Sequence, residues 1–285
     1  MSTLVALQQL GSQVRRSRVV LVSGGILLAI GVIALLGPLL SPHSYLDTDL
    51  DRRLLAPAFA AARLFGTDDL GRDLFVRTMM GVQVTLLVAV VASIVSLVIG
   101  VLYGAIAGFV GGRVDALMMR AVDVLYALPF IFLVILLMVA FERSLFLIFV
   151  AIGAINWLDM ARIVRGQTLS IKEREFVDAA RLIGVSPIGI IFRHITPNLF
   201  GVVVVYMTLT IPQAILVESF LSFLGLGIQE PQTSLGALVN GGVSQMEQAT
   251  WVLLIPAGLL AIILLCFNFL GDGLRDLADP RKQAT

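Results

Sequence analysis

Cysteine, histidine and charge are all scarce in this chain, and each shortage closes off a class of function. A single cysteine, Cys266, allows neither a disulfide framework nor a cysteine-ligated metal cluster. The two histidines, His43 and His194, lie outside the apolar runs, and no HExxH pattern exists. An intramembrane enzyme would need a nucleophile–base or metal set inside its bundle, so that class is set aside, and no catalytic residue, metal ligand or bound cofactor is assigned to the chain. Charged residues make up only 14% of the 285, where soluble domains carry about 25%. The net charge of +1 gives no hint of a nucleic-acid partner. Long polar segments are missing too: the longest are 41–81, 165–198 and 221–249, and none holds a soluble catalytic domain.

What remains is apolar. Hydrophobic residues make up 58% of the chain, and the mean hydropathy is +0.98. Since a helix crossing a bilayer needs about 20 mostly apolar residues, the useful question is how many such stretches exist. There are six, at 19–40, 82–110, 124–141, 145–164, 199–220 and 250–270. The fourth is interrupted after Trp157 and reaches full length only by carrying Asn156, Asp159 and Arg162 toward an interface. Strand-like alternation is absent, and lipid demands internally paired backbone, so the expectation is an all-α integral membrane protein. The first stretch follows a basic segment, but its 22 residues exceed the 7–15 of a signal core, so it reads as a retained helix.

Lysine and arginine are enriched in short cytoplasmic loops, which orients the spans. With the N-terminus inside, six crossings put fourteen basic residues in the cytoplasm: Arg15, Arg16, Arg18, Arg113, Arg120, Arg162, Arg165, Lys172, Arg174, Arg181, Arg193, Arg275, Arg281 and Lys282. Six lie outside: Arg52, Arg53, Arg63, Arg72, Arg77 and Arg143. If the fourth stretch did not cross, this bias would collapse. The expected organisation is therefore a cytoplasmic segment 1–18, a first span 19–40, an extracytoplasmic loop 41–81 and a helical core 82–285, with both termini cytoplasmic.

Small residues recur at every fourth position of the second span, at Ala92, Ser96, Gly100, Gly104 and Gly108, a strip that lets another helix approach closely. Packing within the chain and an interface to a second membrane subunit both fit this strip. Pro129, Pro212 and Pro256 fall inside spans, where each removes a backbone donor and favours a kink. Ahead of the second span, Thr67 can cap a short amphipathic helix with Asp68 and Asp69 in its first turn and Leu74, Phe75 and Met79 on its apolar side. Such a helix suits the outer membrane surface, or the reception of a soluble partner.

The densest local signals lie in the cytoplasmic loop 165–198. Glu175, Asp178, Ala179, Ala180 and Arg181 form a short helix that Gly184 can end in the left-handed conformation. Ser186 as N-cap with Pro187 behind it starts a second helix, expected to stop near Pro197. A plain connector needs only about 2–8 residues, so a loop of this length has work to do. Adjacent alanines beside carboxylates make a surface thin enough to dock into a groove and charged enough to be oriented there. Within the fifth span, Tyr206, Thr210 and Gln213 share a helical face, and Glu218 lies near its outer end. These four are candidates for lining a hydrated route, although interhelical hydrogen bonding gives the same pattern.

Asp178-Ala179-Ala180 followed by Gly184 resembles the EAA motif of bacterial ABC-importer permeases. The stretches WLDMARIVRGQTLSIKEREFVDAARLIG, ESFLSFLGLGIQEPQTSLG, NFLGDGLRDLADP and GTDDLGRDLFVR narrow the likeness to the dipeptide/oligopeptide permease family, in its C-type second subunit. That resemblance implies the type I ABC importer permease fold in a bacterial inner membrane. It also implies a heterodimer with a homologous permease, two cytoplasmic ATPase domains that bind the ATP and Mg, and an extracytoplasmic peptide-binding protein. By the same resemblance Glu175, Asp178, Ala179, Ala180, Gly184 and Pro187 couple the chain to its ATPases, with Asp178 standing where the motif usually has glutamate. A permease of this family for nickel or another small solute shares the same motifs. An ion-coupled secondary transporter is disfavoured, because the spans hold neither a deep acidic pair nor an evident inverted repeat.

Overall fold

The computed structural model describes residues 17–58, 63–140 and 145–278. Arg15, Arg16, Arg143, Arg281 and Lys282, used above for orientation, lie outside the described residues, as do Phe141 and the last two residues of the C-terminal motif. Among the described residues the fold is helical, with only two isolated bridges, Ala58 with Arg63 and Thr67 with Asp73. In order the helices are α1 (Arg18–Leu40), α2 (Leu74–Val110), α3 (Gly112–Ala127), α4 (Phe130–Ala140), α5 (Leu145–Ile171) and α6 (Glu175–Leu182). They continue with α7 (Pro187–Ile190), a π-helical turn (Ile191–Ile195), α8 (Thr196–Phe223), α9 (Leu235–Ser244) and α10 (Thr250–Ala278). Four helical stretches are long and apolar enough to cross a membrane: Arg18–Leu40, Leu74–Val110, Pro187–Phe223 and Thr250–Asp276.

Two expected boundaries are corrected. Thr67 does not cap a surface helix, because its hydroxyl donates to the Arg52 carbonyl (2.6 Å) and accepts from the Leu55 amide (2.8 Å), folding the loop back on itself. The N-cap is Asp73, which accepts from the Val76 amide at 2.9 Å, so Leu74, Phe75 and Met79 belong to the first turns of α2 itself. Nor does the second loop helix stop at Pro197. The Thr196 amide bonds back to Ile191, a π-type spacing that widens the turn just ahead of the proline, which has no amide of its own to satisfy. The chain therefore runs as one helical rod from Pro187 to Phe223.

Pro129 does more than kink the third stretch. Leu128 before it is extended (φ −74°, ψ 133°), as proline demands of its predecessor, and the stretch divides into α3 and α4. α5 carries the fourth stretch and runs past it to Ile171, so Asp159 and Arg162 lie two to three turns inside its end.

The small-residue strip packs within the chain, against α5. A Cβ on Gly100 would stand 2.5 Å from the Met160 Cβ, and one on Gly108 would stand 2.8 Å from the Arg165 carbonyl oxygen. Gly104 abuts the backbone at Ala161, and Gly153 of α5 in turn receives Val95 of α2. The two helices thus touch nearly backbone to backbone over four turns. One core, including Val88, Ala92, Ile152 and Ile215, fills the half of the bundle nearest the start of α2. A second, including Val101, Met160, Val164, Val177, Ile191 and Leu199, fills the other half and ties in the loop 165–198.

Candidate functional site: the elbow between α5 and α8 and the buried polar networks

The elbow between α5 and α8 folds by short-range rules. α6 ends in a Schellman motif: the Val185 amide bonds to the Ala180 carbonyl and the Gly184 amide to the Arg181 carbonyl, both at 3.0 Å. Gly184 adopts φ +81°, with nothing within 4 Å of where a Cβ would stand, so the demand for glycine is conformational. Ser186 caps the next helix by accepting from the Gly189 amide at 3.2 Å, and Pro187 occupies the first turn. Val177 and Ala180 are buried against Ile190, Ile191 and Ile195, which anchors α6 on the rod.

Of the coupling candidates, Glu175, Asp178, Ala179, Gly184 and Pro187 face outward, whereas Ala180 is only 3% exposed and serves the anchor. Asp178 pairs with Arg181 at 3.0 Å on the open surface, where such a pair contributes little. Sequence reasoning missed the apolar partners on this face. Leu182 is 88% exposed and Ile183 79%, with Ile188 and Phe192 also open, so the elbow presents grease beside its carboxylates. The run Leu182-Ile183 is the signal that was available.

At the root of the elbow, Arg165 of α5 grips Asp115 of α3 through two hydrogen bonds of 2.5 and 2.6 Å. That guanidinium holds the Asp115 carboxyl below its usual range, and the carboxylate raises Arg165 in return.

On the opposite side, two sequence motifs 140 or more residues apart converge. Asp68 accepts from the Leu70 and Arg72 amides at 2.9 Å, and from the Arg72 and Arg77 side chains at 2.8 Å. Glu230 bridges the same two arginines, at 2.9 Å from Arg72 and 3.2 Å from Arg77. Asp68, Arg72 and Arg77 are all buried, and the network walls a cavity of about 400 Å³ that also takes in Gln232, Thr233 and Asn240. Gly71 permits the tight turn between the two halves: at φ +74° it lies against the Asp49 backbone, leaving no room for a Cβ.

Beneath it lies Glu218, fully buried rather than meeting water at the outer end. It accepts from the hydroxyls of Thr85 (3.3 Å) and Ser222 (2.7 Å). Ser222 also bonds Ser234, which caps α9, and the Leu235 amide donates to Thr85 at 3.1 Å. One carboxylate thereby joins α2, α8 and the start of α9. Of the other route candidates, Thr210 is buried with its hydroxyl on the Met207 carbonyl, Tyr206 packs on the inner core, and Gln213 is exposed. The four thus do not form one open face.

Family comparison matches residues 100–284 to the binding-protein-dependent transport system inner membrane component, well over half the chain. The chain belongs to that family. Residues 7–57 also match the N-terminal TM domain of oligopeptide transport permease C. Among similar proteins, oligopeptide transport system permease protein OppC of Escherichia coli strain K12 is 55% identical over 258 residues, covering 90% of this chain and 85% of the relative. OppC of Haemophilus influenzae is 51% identical over 94% of this chain and 86% of its own length. Dipeptide transport system permease protein DppC of Bacillus subtilis is 44% identical over 90% and 80%. The chain is a multi-pass component of a bacterial inner membrane and a permease subunit by relationship.

Proposed function

We propose that this chain is the C-type permease subunit of an ATP-driven importer for dipeptides and oligopeptides. The peptide substrate rests on the names of its relatives, which cover most of the chain at 44–55% identity. Six crossings are proposed, with the broken α3–α4 pair as the third and α5 as the fourth, leaving both termini and the elbow in the cytoplasm. It works beside a homologous permease, two ATPase domains that hold ATP and Mg, and an extracytoplasmic peptide-binding protein, and has no ATPase site of its own.

The observation that carries the coupling role is the elbow itself: outward-facing Glu175, Asp178 and Ala179 beside open Leu182, Ile183 and Ile188. Exposed aliphatics on a helix in water mark a docking surface, and the flanking charges orient the partner. Gly184 fixes the turn and Pro187 launches the rod, so both serve coupling by shape, while Ala180 serves it by anchoring. The rod Pro187–Phe223 is 37 residues long, roughly 55 Å at 1.5 Å per residue. Its outer end holds Glu218, so movement of the elbow reaches α2 and α9 through a single helix. Tyr206, Thr210 and Gln213 ride on the same rod.

Co-expression with the ATPase subunits, the second permease and the binding protein tests this directly. Proteoliposomes of the full complex should import a labelled tripeptide only with ATP, and the isolated chain should hydrolyse none. Uptake of Ni²⁺ in place of peptide would move the substrate to the metal branch of the family. Uptake by the single chain on an ion gradient would end the proposal.

A further inference from the structure

The loop ahead of α2 folds around a second polar cavity. It measures about 340 Å³, near the lower bound for small-molecule sites, and its lining, which includes His43, Asp47, Asp49, Arg52, Arg63 and Asp73, contains no apolar side chain. Two segments of chain build it: the Asp49 amide donates to the Leu70 carbonyl at 3.1 Å, and Arg63 donates to the Gly71 carbonyl at 3.2 Å. Asp73 is 2% exposed; its Oδ1 caps α2, but its Oδ2 is buried with no hydrogen-bond partner. Arg63 is 7% exposed, and among the described residues no carboxylate forms an ion pair with it. The Nε2 of His43 is likewise buried without a partner.

The remaining charges of the lining are answered. Asp49 pairs with Arg52 at 3.3 Å, and Asp47 is exposed and accepts from the Ser44 amide at 3.2 Å. Asp73 and Arg63 are left as two opposite, buried charges that border one cavity and do not meet, each held by its own backbone contact. Burying an ion without a counter-charge is costly. Water or a neutral amide supplies hydrogen bonds to both but neutralises neither. A bare metal cation answers Asp73 alone and is repelled by Arg63, and no group of three metal-ligating side chains exists among the described residues. A molecule that carries both an ammonium and a carboxylate answers both, and the polar lining offers nothing to a large apolar substituent.

We propose that this cavity binds a small zwitterion, with its ammonium on Asp73 and its carboxylate on Arg63: an α-amino acid, or the two ends of a very short peptide. The bound molecule bridges the loop to the cap of α2. The site stands whichever solute the importer carries.

Equilibrium dialysis of the assembled permeases and ATPases in nanodiscs, with the binding protein left out so that only the membrane complex is read, tests the site with labelled glycine and labelled diglycine. At least one probe should bind saturably, and the tighter of the two names the source. Glycinamide, which lacks the carboxylate, and N-acetylglycine, which lacks the ammonium, should each compete about tenfold less well than the unlabelled probe, the effect of one charge-assisted hydrogen bond lost. Asp73→Asn keeps a capping oxygen while removing the charge, so its complex should assemble and bind the probe about tenfold more weakly. Arg63→Gln should weaken binding by a similar factor. The proposal is overturned by no saturable binding of either probe at about 10 mM, by competition from either analogue as strong as from the unlabelled probe, or by wild-type affinity in Asp73→Asn.

Discussion

Replacing Gly184 by valine tests whether the shape of the elbow, rather than its surface, transmits force. At φ +81° a Cβ meets nothing within 4 Å, so the substitution causes no clash and its whole cost is conformational. Holding a β-branched residue in the left-handed region costs roughly 1–3 kcal/mol. The chain can escape that strain only by opening the Schellman turn, which gives up the Val185–Ala180 and Gly184–Arg181 hydrogen bonds. A penalty near 2 kcal/mol lowers the ratio of closed to open elbow by about thirtyfold. Asparagine tolerates the same backbone region, so Gly184→Asn should retain most of the closed form. In proteoliposomes of the full complex, peptide imported per ATP hydrolysed should fall severely for the valine variant and slightly for the asparagine variant, with both inserted and both retaining their ATPases. A wild-type ratio for Gly184→Val, or equal impairment in both variants, would refute the conformational account.

Asp178→Lys reverses a charge on the exposed face of α6 and should weaken retention of the ATPase subunits on affinity purification. If the lysine variant keeps them and imports normally, Asp178 has no part in docking. Glu218→Ala strands the buried Thr85 and Ser222 hydroxyls, at a cost of about 1–3 kcal/mol for each group left unsatisfied, and should lower the melting temperature of the complex. Thr85→Val in the same background should cost about 1–3 kcal/mol more, because it also removes the acceptor of the buried Leu235 amide. Gly100→Val drives a side chain into Met160 and should separate α2 from α5, costing about 1–3 kcal/mol, whereas the outward Gly112→Ala of α3, which meets no neighbour, should cost only its positive-φ strain. Asp115, held below its ordinary range by Arg165, contributes stability that is present above the usual carboxylate range and is lost as pH falls through its lowered value. The stability gap between wild type and Asp115→Asn should therefore persist from neutral pH down to about pH 4 and close below it; a gap unchanged at pH 3 would contradict the pairing.

The parts of this fold that depend on neighbours in sequence were legible. Gly184, Ser186 and Pro187 specify a break and a restart within a few residues, and the structure places all three as local rules require. Ala92 to Gly108 marked a close helix contact, although not which partner would fill it. Long-range pairing was opaque. Asp68 reads as a first-turn charge because that local rule applies, whereas its actual partners include Arg77, which itself reaches Glu230, 153 positions further along the chain. α9 falls inside the polar segment 221–249, although Ser234 carries the usual cap signal. Pro197 misled for a different reason: a π turn, which leaves no composition signature, absorbed the missing amide.

The glycine seam between α2 and α5 has a mechanical consequence. Ordinary helix pairs slide because a layer of side chains between them can switch rotamers, like rollers under a plank. Gly100, Gly104, Gly108 and Gly153 remove those rollers. Whatever tugs on the elbow at Ile171 therefore drags α2 along with α5. Since α2 begins beside Asp73 and Arg77, a pull exerted at the elbow registers at the opposite end of the bundle with no slack in between.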